Sequence, residues 1–88
     1  MRYEVSWDVR AIDMAAGFLG DDPAGLDLVL DQVERLCVEP RPPEARAWGE
    51  VLLRLRVGRY RVTYSVDDAA EHIEIIRVGR VGAEDRNR

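Results

Sequence analysis

Apolar and polar side chains alternate through residues 51–66, Val-Leu-Leu-Arg-Leu-Arg-Val-Gly-Arg-Tyr-Arg-Val-Thr-Tyr-Ser-Val. The pattern predicts two β-strands joined by a two-residue turn at Gly58-Arg59. Glycine at the first central position suits a type II′ turn, which needs a positive φ there. The turn then sets the register: Val57 opposite Tyr60, Arg56 opposite Arg61, Leu55 opposite Val62, Arg54 opposite Thr63, Leu53 opposite Tyr64. Side chains on a strand point to alternate faces. One face therefore carries Val51, Leu53, Leu55, Val57, Tyr60, Val62, Tyr64 and Val66. Arg54, Arg56, Arg61, Thr63 and Ser65 occupy the other.

The rest of the chain falls into shorter patterns. Tyr3 to Trp7 alternates and predicts a strand. Asp8 stands where a helix N-cap belongs, and Val9, Ile12, Ala16 and Leu19 follow at helical spacing as an apolar stripe. Gly20-Asp21-Asp22-Pro23 ends that helix and opens a second, with Asp22 as N-cap and Pro23 in the first turn. Leu26, Val29, Leu30, Val33, Leu36 and Cys37 form its apolar stripe, with Asp27, Asp31 and Glu34 outside. Pro40-Arg41-Pro42-Pro43 makes a stiff connector, and residues 47–49 add a short strand or turn. After a turn at residues 67–71, His72 to Gly79 reads as a central strand, because Ile73, Ile75, Ile76 and Val78 are apolar on both faces. Helical stripes and hairpin face can bury one another. The expectation is a two-layer α+β fold, strand-helix-helix followed by a three- or four-stranded antiparallel meander. Residues 1–80 form the single domain and residues 81–88 a flexible tail.

Composition narrows the function classes. Eighty-eight residues make one domain with a small core. The lone Cys37 excludes an internal disulfide framework and sits on an apolar stripe, as a core residue would. One His and one Cys leave no zinc site, and no phosphate-binding glycine loop is present, so neither metal nor cofactor is expected. No apolar run reaches the length of a membrane span, and a cytoplasmic protein is expected. The net charge of -4 is divided unevenly: residues 1–50 hold 5 Arg against 11 acids, residues 51–88 hold 8 Arg against 6. That division argues against a general nucleic-acid coat and permits a local anion site.

The polar hairpin face carries the candidate chemistry. Arg56 and Arg61 are opposed, Arg54 is one step along, and the hairpin contains no acid. Opposed like charges destabilise a strand pair. The face is either a solvated surface or a phosphate site, and guanidinium forks match phosphate oxygens in pairs.

Arg54-Leu55-Arg56-Val57-Gly58-Arg59-Tyr60-Arg61-Val62-Thr63-Tyr64 resembles the hairpin of the RelE/ParE toxin superfamily of bacterial type II toxin–antitoxin modules, and Ile75-Ile76-Arg77-Val78-Gly79-Arg80 is similar to its last strand. The order of elements fits over nearly the whole chain. The resemblance implies a cognate antitoxin as partner. It implies either a RelE-like, ribosome-associated mRNA endonuclease (an mRNA interferase) or a ParE-like protein that binds DNA gyrase; a catalytically degenerate, antitoxin-binding module is the third expectation. By the same resemblance Arg54, Arg56 and Arg61 bind the RNA phosphate, and Arg61 and Arg80 are the catalytic candidates. The chain departs from the family where a Tyr or His is expected after the last strand: residues 81–88 contain neither. Arginine stays protonated and cannot shuttle protons, so a weakened active site follows. The oligomeric state is left open.

Overall fold

The structure, a computed structural model, describes residues 2–82. The chain runs β1 (Glu4–Trp7), α1 (Val9–Asp21), α2 (Pro23–Leu36), β2 (Ala45–Trp48), β3 (Leu52–Val57), β4 (Tyr60–Asp67) and β5 (His72–Arg80). Five strands form one sheet in the order β1-β5-β4-β3-β2. The meander from β2 to β5 is antiparallel and has four strands; β1 joins it parallel to β5. That addition makes β5 an interior strand. Among the described residues, no helix is long and apolar enough to cross a membrane.

The hairpin register is the expected one at every pair from Val57–Tyr60 to Leu53–Tyr64. Gly58 has φ 58°, and Arg59 is not among the positive-φ residues, as a type II′ turn requires. Both helix starts also follow the sequence. The Asp8 carboxylate accepts from the Arg10 amide at 2.8 Å, and Asp22 accepts from the Gly25 amide at 3.1 Å with Pro23 in the first turn. Cys37 is buried.

Leu55, Val62, Tyr64, Ile73, Ile75 and Val78 of the sheet pack with Leu26, Val29, Val33 and Leu36 of α2 to form the core. Helix α2 lies over β3 and β4, and α1 lies over β5. The buried Tyr64 hydroxyl donates to the Pro40 carbonyl at 2.7 Å, tying the post-helix loop to the sheet; burial pushes its pKa up to about 12.

Four expectations change. The stripe Val9, Ile12, Ala16, Leu19 does not face the sheet: Val9, Ile12 and Leu19 are 70%, 49% and 45% exposed. Ala11, Ala15 and Phe18 face inward instead; the two alanines let α1 lie against β5, and the Phe18 ring packs on Tyr60. Leu30 is likewise exposed, beyond the buried edge of α2. Val51 falls in the turn before β3 and is exposed. In β5 the apolar run reflects a bulge rather than two buried faces. Thr63 pairs with Arg77 and Tyr64 with Ile75, so Ile76 is the extra residue. Of residues 81–88, only Val81 and Gly82 are described, and the Val81 amide donates to the Arg59 carbonyl at 2.8 Å.

One close contact joins the helical corner to the hairpin tip. The Asp22 carboxylate caps α2 and also accepts from the Tyr60 hydroxyl at 2.9 Å, with Arg59 at 3.6 Å. Gly25 makes room for this: a Cβ there would meet the Asp22 carboxylate and lie 2.8 Å from the Tyr60 ring. The Tyr60 hydrogen bond, then the Gly25 amide, lowers the Asp22 pKa below the usual carboxylate range. Stability from this group is complete above the ordinary carboxylate pKa and is lost as pH falls through the depressed folded value. Asp22→Asn keeps a capping side chain but removes the charge. Urea unfolding between about pH 5 and pH 2 should therefore show a shallower acid loss for Asp22→Asn than for the parent. Parallel curves would contradict the assignment.

Candidate nucleic-acid interface

The helices cover one face of the sheet, and the other is open. Strand parity and register decide what stands on it. Arg46 of β2 is opposite Arg54, Arg54 is opposite Thr63, and Thr63 is opposite Arg77 of β5. The next rung holds Arg56, Arg61 and Gly79. Five arginines from four strands thus share one end of the open face. None of the five has a carboxylate partner among the described residues, whereas Arg2, Arg10, Arg35, Arg41, Arg59 and Arg80 all have one. The opposite end of the face is acidic: Glu4 and Asp67 are each paired with His72, and Ser65 with Glu74.

Local contacts set the geometry at the basic end. The Arg61 guanidinium donates to the Gly58 and Tyr60 carbonyls, both at 2.9 Å, and is folded back against its own turn. Burial first, then Arg56 and Arg54, lowers the Arg61 pKa from the ordinary arginine value. The cation is kept despite these costs, as expected for a guanidinium. An anion brought to this rung would relieve the repulsion. A hollow of about 230 Å³ lies between Arg54, Arg61, Thr63, Arg77 and Gly79. Gly79 leaves open space above it, with nothing within 4 Å of where a Cβ would stand. A larger cleft of about 700 Å³ runs toward β2, lined by Glu44, Arg46, Trp48, Arg54, Arg56 and Arg61 among others.

Arg54, Arg56 and Arg61 are therefore together on one surface. Arg80 is placed differently. It pairs with Tyr60, whose ring is in the core, and its guanidinium reaches the helix side, 2.6 Å from Asp21 and 4.8 Å from the centre of the Phe18 ring. Arg80 also lines the smaller hollow, beside Gly79 and Val81. Two further arginines join that the sequence reading left out. Arg77 is outward only because the Ile76 bulge resets the alternation; unbroken from Ile73 and Ile75, it would have pointed inward. Arg46 lay just outside the short strand or turn expected at residues 47–49; β2 begins at Ala45, and Arg46 and Trp48 alternate with Ala45 and Ala47.

Proton carriers are scarce at this end. Tyr60 is committed to Asp22 on the far side of the sheet. His72 stands with Ser6, its Nε2 2.8 Å from the Ser6 hydroxyl. No group of three His, Cys, Asp or Glu side chains able to hold a metal converges among the described residues. The site can hold and neutralise anionic oxygens; among the described residues the carboxylate that lines it is Glu44, and Arg35 ties that group at 3.2 Å.

The family model for the ParE toxin of the type II toxin–antitoxin system matches residues 20–83. The chain belongs to that family. Within it, the fold of this ParE-family toxin is that of the RelE toxins. An archaeal RelE in complex with RelB, from Pyrococcus horikoshii OT3, is 27% identical with a TM-score of 0.77, over 94% of this chain and 99% of that one. The RelBE2 toxin–antitoxin complex of Mycobacterium tuberculosis gives 23% identity and 0.77, over 91% and 99%. The isolated Escherichia coli RelE toxin gives 17% and 0.80, over 97% and 90%. No curated protein matches the sequence.

The crowded arginines make this toxin's open face unstable against its own charge. Arg56→Thr replaces an exposed arginine by a good strand former directly opposite Arg61. The variant should be more stable than the parent by about 0.5–1 kcal/mol at low salt. That gain should shrink between about 0.01 M and 1 M salt, as screening weakens the repulsion. Thermal melts across that range are the measurement, and a salt-independent difference would contradict the electrostatic origin.

Proposed function

We propose that this toxin acts on RNA in the cytoplasm, as a RelE-like, ribosome-associated mRNA endonuclease, and that its arginine face holds the scissile phosphate. The observation that carries the reading is the set of five arginines, Arg46, Arg54, Arg56, Arg61 and Arg77, on one open surface and without carboxylate partners among the described residues. Phosphate attraction dominates nucleic-acid affinity, and guanidinium pairs suit a chain of phosphates. In cleavage by 2′-hydroxyl attack, the 2′-oxygen bonds to phosphorus, the 5′-oxygen leaves, and a 2′,3′-cyclic phosphate remains. Arg54, Arg56 and Arg61 would stabilise the negative charge that builds on the phosphoryl oxygens. Arg80 would have to leave Asp21 to take part. Two proton transfers accompany the displacement, from the 2′-hydroxyl and to the 5′-oxygen. Positioned acid–base groups contribute typically 10²–10⁴-fold, so cleavage should be slow relative to a site that has them.

Induced expression, with growth, primer-extension mapping of ribosome-bound mRNA and plasmid supercoiling followed together, tests this. The parent should arrest growth and cut mRNA, and the triple variant Arg54→Ala, Arg56→Ala, Arg61→Ala should do neither. Cleavage that survives the triple change removes the site. Growth arrest with intact mRNA and altered supercoiling would instead establish the second reading, a gyrase-directed toxin, which the ParE family match favours.

The partner is a cognate antitoxin, a reading supported by the RelE–RelB complex of the archaeal relative. An apolar groove of about 260 Å³ between α1 and α2 is formed by Trp7, Ile12, Ala16, Leu19, Leu26 and Leu30. Exposed Asp13, Asp27 and Asp31 belong to the same two helices. Those features fit an amphipathic helix with basic flanks. Leu30→Glu should sharply reduce co-purification with the product of the adjacent gene while leaving the toxin folded. Unchanged recovery would place the antitoxin elsewhere.

A further inference from the structure

Trp48 is an unusual residue for an exposed edge strand. Its side chain is on the open face, on the same side of β2 as Arg46, and the residue is 51% exposed. Large exposed aromatics on a basic surface call for an explanation, because burial is their ordinary fate. The Arg54 guanidinium lies over the indole, 4.2 Å from the ring centre. This contact does two things. It orients Arg54, and it makes a layered indole–guanidinium unit at the wall of the 700 Å³ cleft. Both layers are flat and both stack on π-systems. Arg46, Arg56 and Arg61 line the same cleft, so the unit is bordered by cations that have no carboxylate partner among the described residues.

A phosphate site alone needs arginines and no aromatic. A single-stranded polynucleotide presents two chemistries at a fixed spacing, an anionic backbone and flat, unpaired bases. Proteins that bind such strands pair a positive groove with stacking side chains. We infer that Trp48 and Arg54 form a base-stacking subsite, where one unpaired base of a single-stranded RNA stacks while Arg46, Arg56 and Arg61 hold the neighbouring phosphates. This deepens the RNA-directed reading above and rests on it. Trp48 acts here as a binding residue that sets which nucleotide is gripped, and it takes no part in proton transfer. Stacking is tolerant of base identity, so the subsite selects unpaired over paired RNA. The sheet edge at β2 leaves the cleft open on one side, which lets the strand continue past it.

Trp7 and Trp48 are the only tryptophans, so a Trp7→Phe background leaves Trp48 as the sole reporter. Three probes are titrated by fluorescence: a 2′-O-methyl hexaribonucleotide that cannot be cleaved, an abasic phosphodiester of the same length, and inorganic polyphosphate. The hexanucleotide should quench Trp48 and bind about 5- to 100-fold more tightly than the abasic chain. For Trp48→Ala, measured by competition with a labelled hexanucleotide, that ratio should fall to about one with abasic binding retained. Trp48→Phe should restore most of it, which separates stacking from any weakening of β2. A parent ratio near one, or a ratio untouched by Trp48→Ala, overturns the subsite. If the abasic chain and polyphosphate still bind in that case, the anion-binding face stands and only the stacking site falls. Failure of all three probes to bind the parent overturns both.

Discussion

The Asp22 carboxylate is the contact on which the two layers depend. It closes the first turn of α2, accepts the Tyr60 hydroxyl, and lies near Arg59, so one side chain joins helix, strand and turn. Tyr60 is the first residue of β4, directly after Gly58-Arg59. Holding it sets the tilt of the hairpin tip on the helices, and the Phe18 ring packs edge-on against it at 5.5 Å. The register then carries that position outward: fixing Tyr60 on the covered side fixes Arg61 on the open side. Gly25 is the backbone condition for this arrangement, since any larger residue would occupy the space the carboxylate and ring share. The arginine face is thus placed by a contact on the other side of the sheet.

Its charges are a cost that the fold carries in the free state. Arg46 faces Arg54, and Arg56 faces Arg61, with no acid on those two rungs. Fixed cations that are already crowded need little reorganisation to receive an anion, and this preorganisation is where binding gains over a flexible set of side chains. The Gly58 and Tyr60 carbonyls keep Arg61 in place without neutralising it, and the indole does the same for Arg54. By contrast, Arg80 is paired with Asp21, which marks it as a structural tie in this state.

Much of this was legible in the sequence, for a physical reason. A two-residue turn leaves no freedom in pairing, so Gly58 decided every rung of the hairpin, and Asp8, Asp22 and Pro23 punctuated the helices through local hydrogen bonds alone. Features that depend on a distant partner were hidden. Ile76 bulges because of how β5 meets β4, and the Ile75-Ile76 doublet reads equally well as a strand buried on both faces; Arg77 consequently escaped notice. In α1 two apolar stripes compete, and Ala11 and Ala15 win the sheet through small size rather than hydrophobicity. Arg46 and Trp48 became meaningful only when β2 was seen to pair with β3.

The separation of charge across the two layers gives the molecule a direction. Asp13, Asp27, Asp31 and Glu34 are carried on the helices, while five arginines gather at one end of the far face. With a net charge of -4, the protein as a whole is pushed away from any polyanion at distances where its charges blur together. Closer in, within about 8 Å at physiological salt, the field of the near face takes over and exerts a torque. Approach with the helices leading is rejected; approach with the arginines leading is drawn in. An acidic protein can in this way be repelled by an anionic surface at a distance and still attract an anion that is presented to the correct side.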